Sequence, residues 1–255
     1  MICKMKHFLS HPFDIAPALY AYNVPRYFTL LLRARQFAKT NKTTLSWCYA
    51  RDIPLHRDDR DLPSEKLYLK LCRWMERHDQ QTAHIASQVP LAENLPIRLA
   101  DAVDRRLGFW RGRRGKIVGW VPHPDEEREV VDGEVLLSKM PLVIYAHFTG
   151  AAWRIHDDLP PGVYPVRPRS RTWTVNKQTK ITVRRTGFVL LPDFASTAHM
   201  IQGQNLDALF ANLMEENVEL NATEEAQVMS YVMLSRAKFL DKVWVMNPFP
   251  LPLFT

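Results

Sequence analysis

Five arginines, Arg105, Arg106, Arg111, Arg113 and Arg114, crowd around Phe109 and Trp110 in one short stretch. Guanidinium groups neutralise phosphates, and aromatic faces stack on unpaired bases. Together they supply what binding of a single nucleic-acid strand requires. One stacked base is worth about 1–3 kcal/mol. The competing reading is a solvated turn whose two rings point into the core.

A second group lies nearer the C-terminus. Thr197, His199, Gln202 and Gly203 follow an apolar run, and Arg236 comes after Tyr231, Val232, Met233, Leu234 and Ser235. Glycine lets backbone approach a phosphate closely. A glutamine amide, a threonine hydroxyl and an imidazole can all bond phosphate oxygens. A planar, always-charged guanidinium can stabilise charge developing on a γ-phosphate. On residue type alone, Arg236 is also readable as a surface arginine at a helix C-terminus, and His199 as a hydrogen-bonded buried histidine.

Other chemistries find no footing. A phosphate-cradling loop needs G-x-x-x-x-G-K-[ST]. The Gly115-Lys116 pair is followed by Ile117, and Trp110 stands where the first glycine belongs. Asp125-Glu126-Glu127 follows His123-Pro124 and reads as a loop, so a magnesium-holding acidic strand end is not evident. His156-Asp157-Asp158 lacks further ligands at metal spacing and reads as a turn. Cys3, Cys48 and Cys72 are odd in number and widely spaced, which gives neither a disulfide framework nor a zinc pattern. They fit a reducing compartment. No run of about 18 apolar residues is present to span a membrane, and the opening residues lack the apolar core of a signal peptide.

The elements that must position these groups follow from hydrophobic patterning. A helix is predicted over 25–39, with Pro25 in its first turn and Phe28, Leu31, Leu32 and Phe37 as its apolar positions. A strand is predicted over 43–50 and a charged loop over 56–61. A second helix, 63–78, lines up Leu67, Leu71, Trp74 and Met75 on one face. Residues 88–98 read as a connection into a short strand. From Arg105 to Arg185 β-patterns dominate, at 116–121, 134–138, 142–147, 171–175 and 181–185, with Pro and Gly punctuation at 159–168. They predict a small barrel or sandwich. Beyond that come an apolar strand at 187–191, a short helix at 195–202, a strand at 207–213, a helix capped by Asn221 or Thr223 and running to Ala237, and a strand at 242–246. That alternation predicts an α/β domain with a mostly parallel sheet.

Length and charge agree with such a plan. The 255 residues, 46% hydrophobic, suffice for one to two domains with a sizeable core. A formal net charge of +7 favours a polyanionic partner, nucleic acid or an anionic surface.

The C-terminal segments resemble motifs V and VI of RecD/Pif-type superfamily-one DNA helicases. Ala195, Thr197, His199, Gln202, Gly203, Leu206 and Asp207 hold the places of A-x-T-x-H-K-x-Q-G-x-T-L-D. Tyr231, Val232, Leu234, Ser235, Arg236 and Ala237 hold those of Y-V-A-L-S-R-A. Met200 stands where that family has lysine, so one phosphate contact of the family is missing from this turn. A second segment, with Val103, Asp104, Leu107, Gly108, Gly112, Gly115, Ile117 and Gly119, is similar to the family's lead into a small SH3-like β-domain, although the family's asparagine before the aspartate is absent. Residues 20–38 resemble motif IV loosely.

The resemblance implies a RecA-like parallel-sheet domain of the P-loop NTPase type, formed by residues 1–104 and 186–255, with a β-rich SH3-like insert at 105–185. It implies the C-terminal half of an ATP-dependent, 5′-to-3′ helicase that is inactive alone. Arg236 would be the arginine finger, with Gln202 and Gly203 beside the nucleotide. Thr197, His199, Trp110 and the arginines at 105, 106, 111, 113 and 114 would meet single-stranded DNA. ATP and Mg2+ would be bound only together with a P-loop-bearing N-terminal RecA-like domain, in the same or another chain. No membrane partner is implied. The expected compartment is the nucleus or another reducing one, the mitochondrion included. The alternative is a catalytically dead nucleic-acid-binding module or a relic of a mobile element.

Overall fold

Apolar segments of three to eight residues become the strands of a computed structural model, which describes Phe13 and residues 15–56, 61–176, 178, 180–213 and 224–247. The chain opens with β1 (Ala18–Tyr20), α1 (Asn23–Asn41), β2 (Ser46–Tyr49), β3 (Arg51–Pro54) and α2 (Ser64–Met75). Strands β4 (Gln88–Leu91), β5 (Pro96–Leu99), β6 (Arg114–Val121), β7 (Arg128–Val131), β8 (Glu134–Leu137) and β9 (Val143–Phe148) follow. Then come β10 (Val163–Val166), β11 (Arg169–Asn176), β12 (Ile181–Gly187), β13 (Leu190–Pro192) and β14 (Ala195–Thr197). The last elements are β15 (Leu209–Ala211), α3 (Glu224–Leu234) and β16 (Val243–Val245). Two compact units result: Met1–Leu32 with Asp193–Thr255, and Arg33–Pro192.

The first unit holds a four-stranded sheet in the order β14-β1-β15-β16. Every pairing in it is parallel, as the alternating pattern predicted. Ala18 faces both Ala195 and Phe210, so β1 lies inside the sheet. Helix α3 covers the sheet through Met233, beside Leu19, Leu209 and Ala211. Glu224 and Glu225 in its first turn complement the positive end of the helix dipole. The caps predicted at Asn221 and Thr223 lie outside the described residues.

Three local expectations need correction. Residues 195–202 are not one short helix. Ala195–Thr197 is a fully buried strand and only Ala198–Ile201 coils, as a 3-10 turn. Pairing with β1 outweighs even the strong helical preference of Ala195 here. Helix α3 stops at Leu234 because Ala237 is drawn into a bridge with Leu206. On α1 the buried stripe is Tyr27, Leu30, Leu31, Ala34 and Ala38, whereas Phe28 and Leu32 are exposed.

The second unit is built from three sheets, ordered β10-β9-β6-β5-β13, β11-β12-β3 and β4-β2-β8-β7. The strands between Arg105 and Arg185 therefore share their sheets with β2, β3, β4, β5 and β13 from outside that stretch. Residues 88–98, read as a connection, form β4 and β5. Pro90 is tolerated because β4 is an edge strand, and Pro96 because it opens its strand. Helix α2 packs Trp74 edge-on against Trp173, with ring centres 6.2 Å apart, and Val183 joins them.

Two charged groups are fixed inside this unit. Arg185, wholly buried, donates to both carboxylate oxygens of Asp52, to Ser87 Oγ and to the Trp74 carbonyl. Its guanidinium also lies 5.3 Å from the centre of the Trp173 ring. Glu134 accepts from Arg35 Nε at 2.8 Å and from Trp47 Nε1 at 2.6 Å.

Burial alone would raise the Glu134 carboxyl, but the hydrogen bonds from Arg35 and Trp47 and the charges of Arg35 and Lys39 outweigh it and hold it below the ordinary value. A carboxyl depressed in the folded state adds stability that is present above its unfolded pKa of about 4.3. That stability is lost as pH falls through the folded value. A Glu134→Gln variant is therefore expected to be less stable than the parent at neutral pH. The difference should shrink once pH drops below about 4. Urea midpoints of both proteins across that range measure it, and a difference independent of pH would contradict the assignment.

The thiols divide by environment. Burial pushes Cys48 up to about 12, with the nearby Glu126 charge adding to the effect, while Cys72 is exposed on α2. Only a thiolate reacts with a disulfide reagent. In a Cys3→Ser background, Cys72 is expected to be titrated by such a reagent in the native protein and Cys48 only after denaturation. Rapid native labelling of Cys48 would show its site to be open.

Candidate functional site

Parallel pairing gives the sheet of the first unit two unlike edges, and the residues singled out from the sequence divide between them. Strands β1 and β14 end side by side, with Tyr20 opposite Thr197. The Tyr20 hydroxyl is 2.7 Å from Thr29 Oγ1 on α1. Farther along the same carboxyl edge, Asn247 Nδ2 donates to Asn212 Oδ1 at 3.0 Å. This edge thus carries hydroxyl and amide groups, the neutral donors that suit phosphate oxygens. Thr197 itself is buried at 5% exposure. His199, on the 3-10 turn just beyond it, is exposed, so the buried-histidine reading does not hold.

From Thr197 the chain must return to the amino edge before β15 can run parallel to its neighbours. Gln202 and Gly203 lie on that return, and both are exposed. Gly203 adopts φ +79°, and a Cβ there would meet nothing within 4 Å. Its glycine serves the left-handed turn, and the space around it is open to an incoming group.

The return ends at Leu206, which bridges in parallel to Ala237. The Leu206 amide donates to the Arg236 carbonyl at 2.8 Å, and the Lys238 amide donates to the Leu206 carbonyl at 3.1 Å. An exposed ion pair, Lys238 to Asp207 at 2.6 Å, lies at the same junction. The two motif segments are thereby fastened together through backbone. Arg236 is half-buried, and its guanidinium turns back on its own helix. Nε donates to the Val232 carbonyl at 3.2 Å and Nη2 to Ser235 Oγ at 2.9 Å.

The basic stretch belongs to the second unit, and its two aromatic rings separate. Phe109 is buried, with ring centres of Tyr164, Phe148 and Trp153 at 4.5, 4.6 and 5.0 Å. Trp110 is 54% exposed, and the Arg105 guanidinium lies 5.8 Å from its ring centre. An Asp104–Phe109 bridge and left-handed Gly108 and Gly112 shape the turn. Arg106 projects into solvent with its side chain 92% exposed. Arg111 donates to Gln80 Oε1 at 2.8 Å and Arg113 to the Thr149 carbonyl at 2.7 Å. Arg114 is exposed at the start of β6. Trp110, Arg105, Arg106 and Arg114 are thus outward members of the group, and Arg111, also exposed, is tied to Gln80. Phe109 is core.

Sequence reasoning missed Asn212 and Asn247, which only the sheet register brings together. It also missed Arg26, wholly buried in the first turn of α1. Its spacing with Leu30 and Ala34, four and eight residues on, was the available signal. Among the described residues no group of three or more His, Cys, Asp or Glu is placed to hold a metal ion. No described helix is long and apolar enough to cross a membrane.

This is an α/β protein with a parallel sheet of the RecA-like kind. No protein-family model and no curated protein matches the chain. Solved structures do. Pif1 helicase from Candida albicans matches with a TM-score of 0.52 at 17% identity, over 96% of this chain and 48% of that one. A structure of DNA unwinding at forked duplex DNA by two coordinating Pif1 helicases matches with a TM-score of 0.50 at 12% identity, over 99% of this chain and 44% of that one. The chain shares its fold with part of these Pif1 helicases, and it spans about half the length of the solved helicases it matches.

Proposed function

We propose that the chain is the second RecA-like half of a Pif1-like DNA helicase. In this reading residues 1–104 and 186–255 form the RecA-like domain, and the β-rich stretch around 105–185 is its SH3-like insert. A first RecA-like domain, in the same or another chain, supplies the P-loop and the magnesium ligands. This half supplies Arg236 to the γ-phosphate, with Gln202 and Gly203 beside it. His199, Arg105, Arg106 and Trp110 meet single-stranded DNA along which the pair moves 5′ to 3′.

The fold match across 96% of the chain carries the reading. The backbone junction of Leu206 with Ala237 supports it, because it sets the motif V turn against the motif VI helix. Val24, Phe28 and Leu32, exposed at i, i+4 and i+8 on α1, form an apolar stripe of the kind that marks an interaction surface. One observation favours the rival reading, a non-catalytic nucleic-acid-binding module: the Arg236 guanidinium is engaged by Val232 and Ser235.

Two measurements on the purified chain test the proposal. It should bind an oligo-dT strand with an affinity that falls with salt, at a slope of about −0.7 per neutralised phosphate. It should hydrolyse no ATP. Turnover by the chain alone that disappears in Arg236→Ala would overturn the division of labour, and salt-independent or absent strand binding would overturn the nucleic-acid role.

A further inference from the structure

Helix α2 carries Lys66, Lys70 and Arg73, and Arg77 follows just past its end. These positions are spaced i, i+4, i+7 and i+11, which aligns them along one side of a helix. At 1.5 Å per residue the row extends about 16 Å. Alongside it runs a cleft of about 220 Å³ lined by Lys70, Arg73, Trp74 and Arg77 and, from the β11–β12 hairpin, Val175 and Ile181. Its floor is apolar, its rim is cationic, and no carboxylate lines it. Arg73 and Arg77 form no ion pair among the described residues. Like charges at these spacings destabilise a helix, so the row is maintained against a local cost that a bound polyanion would relieve.

We infer that this cleft is a contact site for single-stranded DNA: phosphates follow Lys70, Arg73 and Arg77 while a base or sugar rests on Val175 and Ile181, above the buried Trp74. The site rests on the nucleic-acid role proposed above but uses none of the residues assigned there. The cations are strung out in a row rather than converging on one point. A row suits a polymer with regularly repeated charges, whereas convergence suits a lone phosphate. The row also has a continuation. Gln80, three residues past Arg77, accepts the hydrogen bond from Arg111. The basic path therefore leads from α2 to the turn that exposes Trp110.

Fluorescence anisotropy of a labelled oligo-dT strand on the full chain, across a salt series, tests the site. Arg73→Glu/Arg77→Glu is expected to weaken binding more than about tenfold and to flatten the salt slope by roughly 0.7 for each phosphate left unneutralised. Arg73→Lys/Arg77→Lys should keep the parent slope, because a point charge still neutralises a phosphate. Arg128→Glu/Lys42→Glu, an equal charge change at exposed residues that do not line the cleft, should keep it too. Circular dichroism checks that each variant folds. If the cleft double reversal binds with the parent's affinity and slope, or if the remote reversal weakens binding equally, the cleft is not a contact site and the proposed function stands. If the parent itself does not bind the strand, both fall.

Discussion

Replacing Arg185 with alanine is expected to destabilise the protein by about 3–5 kcal/mol, because it leaves the Asp52 carboxylate buried without its counter-charge. The side chains of the two residues are 0% and 2% exposed. The same guanidinium also bonds Ser87 Oγ and the Trp74 carbonyl, so its loss removes two further buried hydrogen bonds, although each group keeps a partner in Arg77. Asp52→Ala should be comparably damaging for the converse reason. The double variant Arg185→Met/Asp52→Leu is expected to recover much of the loss, since apolar replacements of a whole buried ion pair are often near neutral. Urea unfolding of the four proteins reads the cycle directly. Losses that simply add would show that the two residues do not act as a pair. The pair joins β12 to β3 where Arg185 and Asp52 are opposite in the register, so a weakened pair loosens the hairpin that forms one wall of the cleft beside α2.

When a P-loop-bearing first domain completes the ATP site, Arg236→Ala is expected to lower turnover by about 10³–10⁵, the range an arginine finger contributes. Arg236→Lys should restore little, because an ammonium cannot reproduce the planar fork of a guanidinium. Strand binding should be unchanged in both variants. For the finger to act, Nε and Nη2 must let go of Val232 and Ser235 and swing outward. A Ser235→Ala variant removes one of those holds without touching the charge, and its turnover should remain near the parent's. Steady-state ATPase assays with single-strand stimulation measure all three. Full turnover by Arg236→Ala would remove this residue from the catalytic machinery.

Much of this architecture could be read from the residues, and the failures share a physical origin. Strands β15 and β16 and helix α3 were visible because each is an apolar run bounded by polar residues. Strand β1 was not, because Ala18, Leu19 and Tyr20 are too short a run to show a period. Its identity is fixed by neighbours β14 and β15, brought in from far along the chain. Prolines concealed β4, β5 and β10. Pro165 pairs with Tyr145 on an outer strand, where a missing amide goes unpunished. On α1 the expected stripe of Phe28, Leu31, Leu32 and Phe37 kept only Leu31 in the core, and tertiary packing chose Tyr27, Leu30 and Ala34 in place of Phe28 and Leu32. Phe109 and Trp110 are adjacent and chemically alike, and local sequence contains nothing to tell which turns inward. The partition of Thr197 from Arg236 to opposite edges follows from the parallel strand direction that the alternation of elements predicted, combined with a strand order that no pattern of residue types encodes.

The paired amide bonds at Leu206 act as a stiff coupling between the Gly203 turn and the end of α3. A turn and a helix joined only by side chains can slip past each other when one is pushed. Here the Leu206 amide and carbonyl hold the peptides of Arg236 and Lys238 directly. Backbone bonds rather than side-chain contacts thus set how these two segments lie against each other.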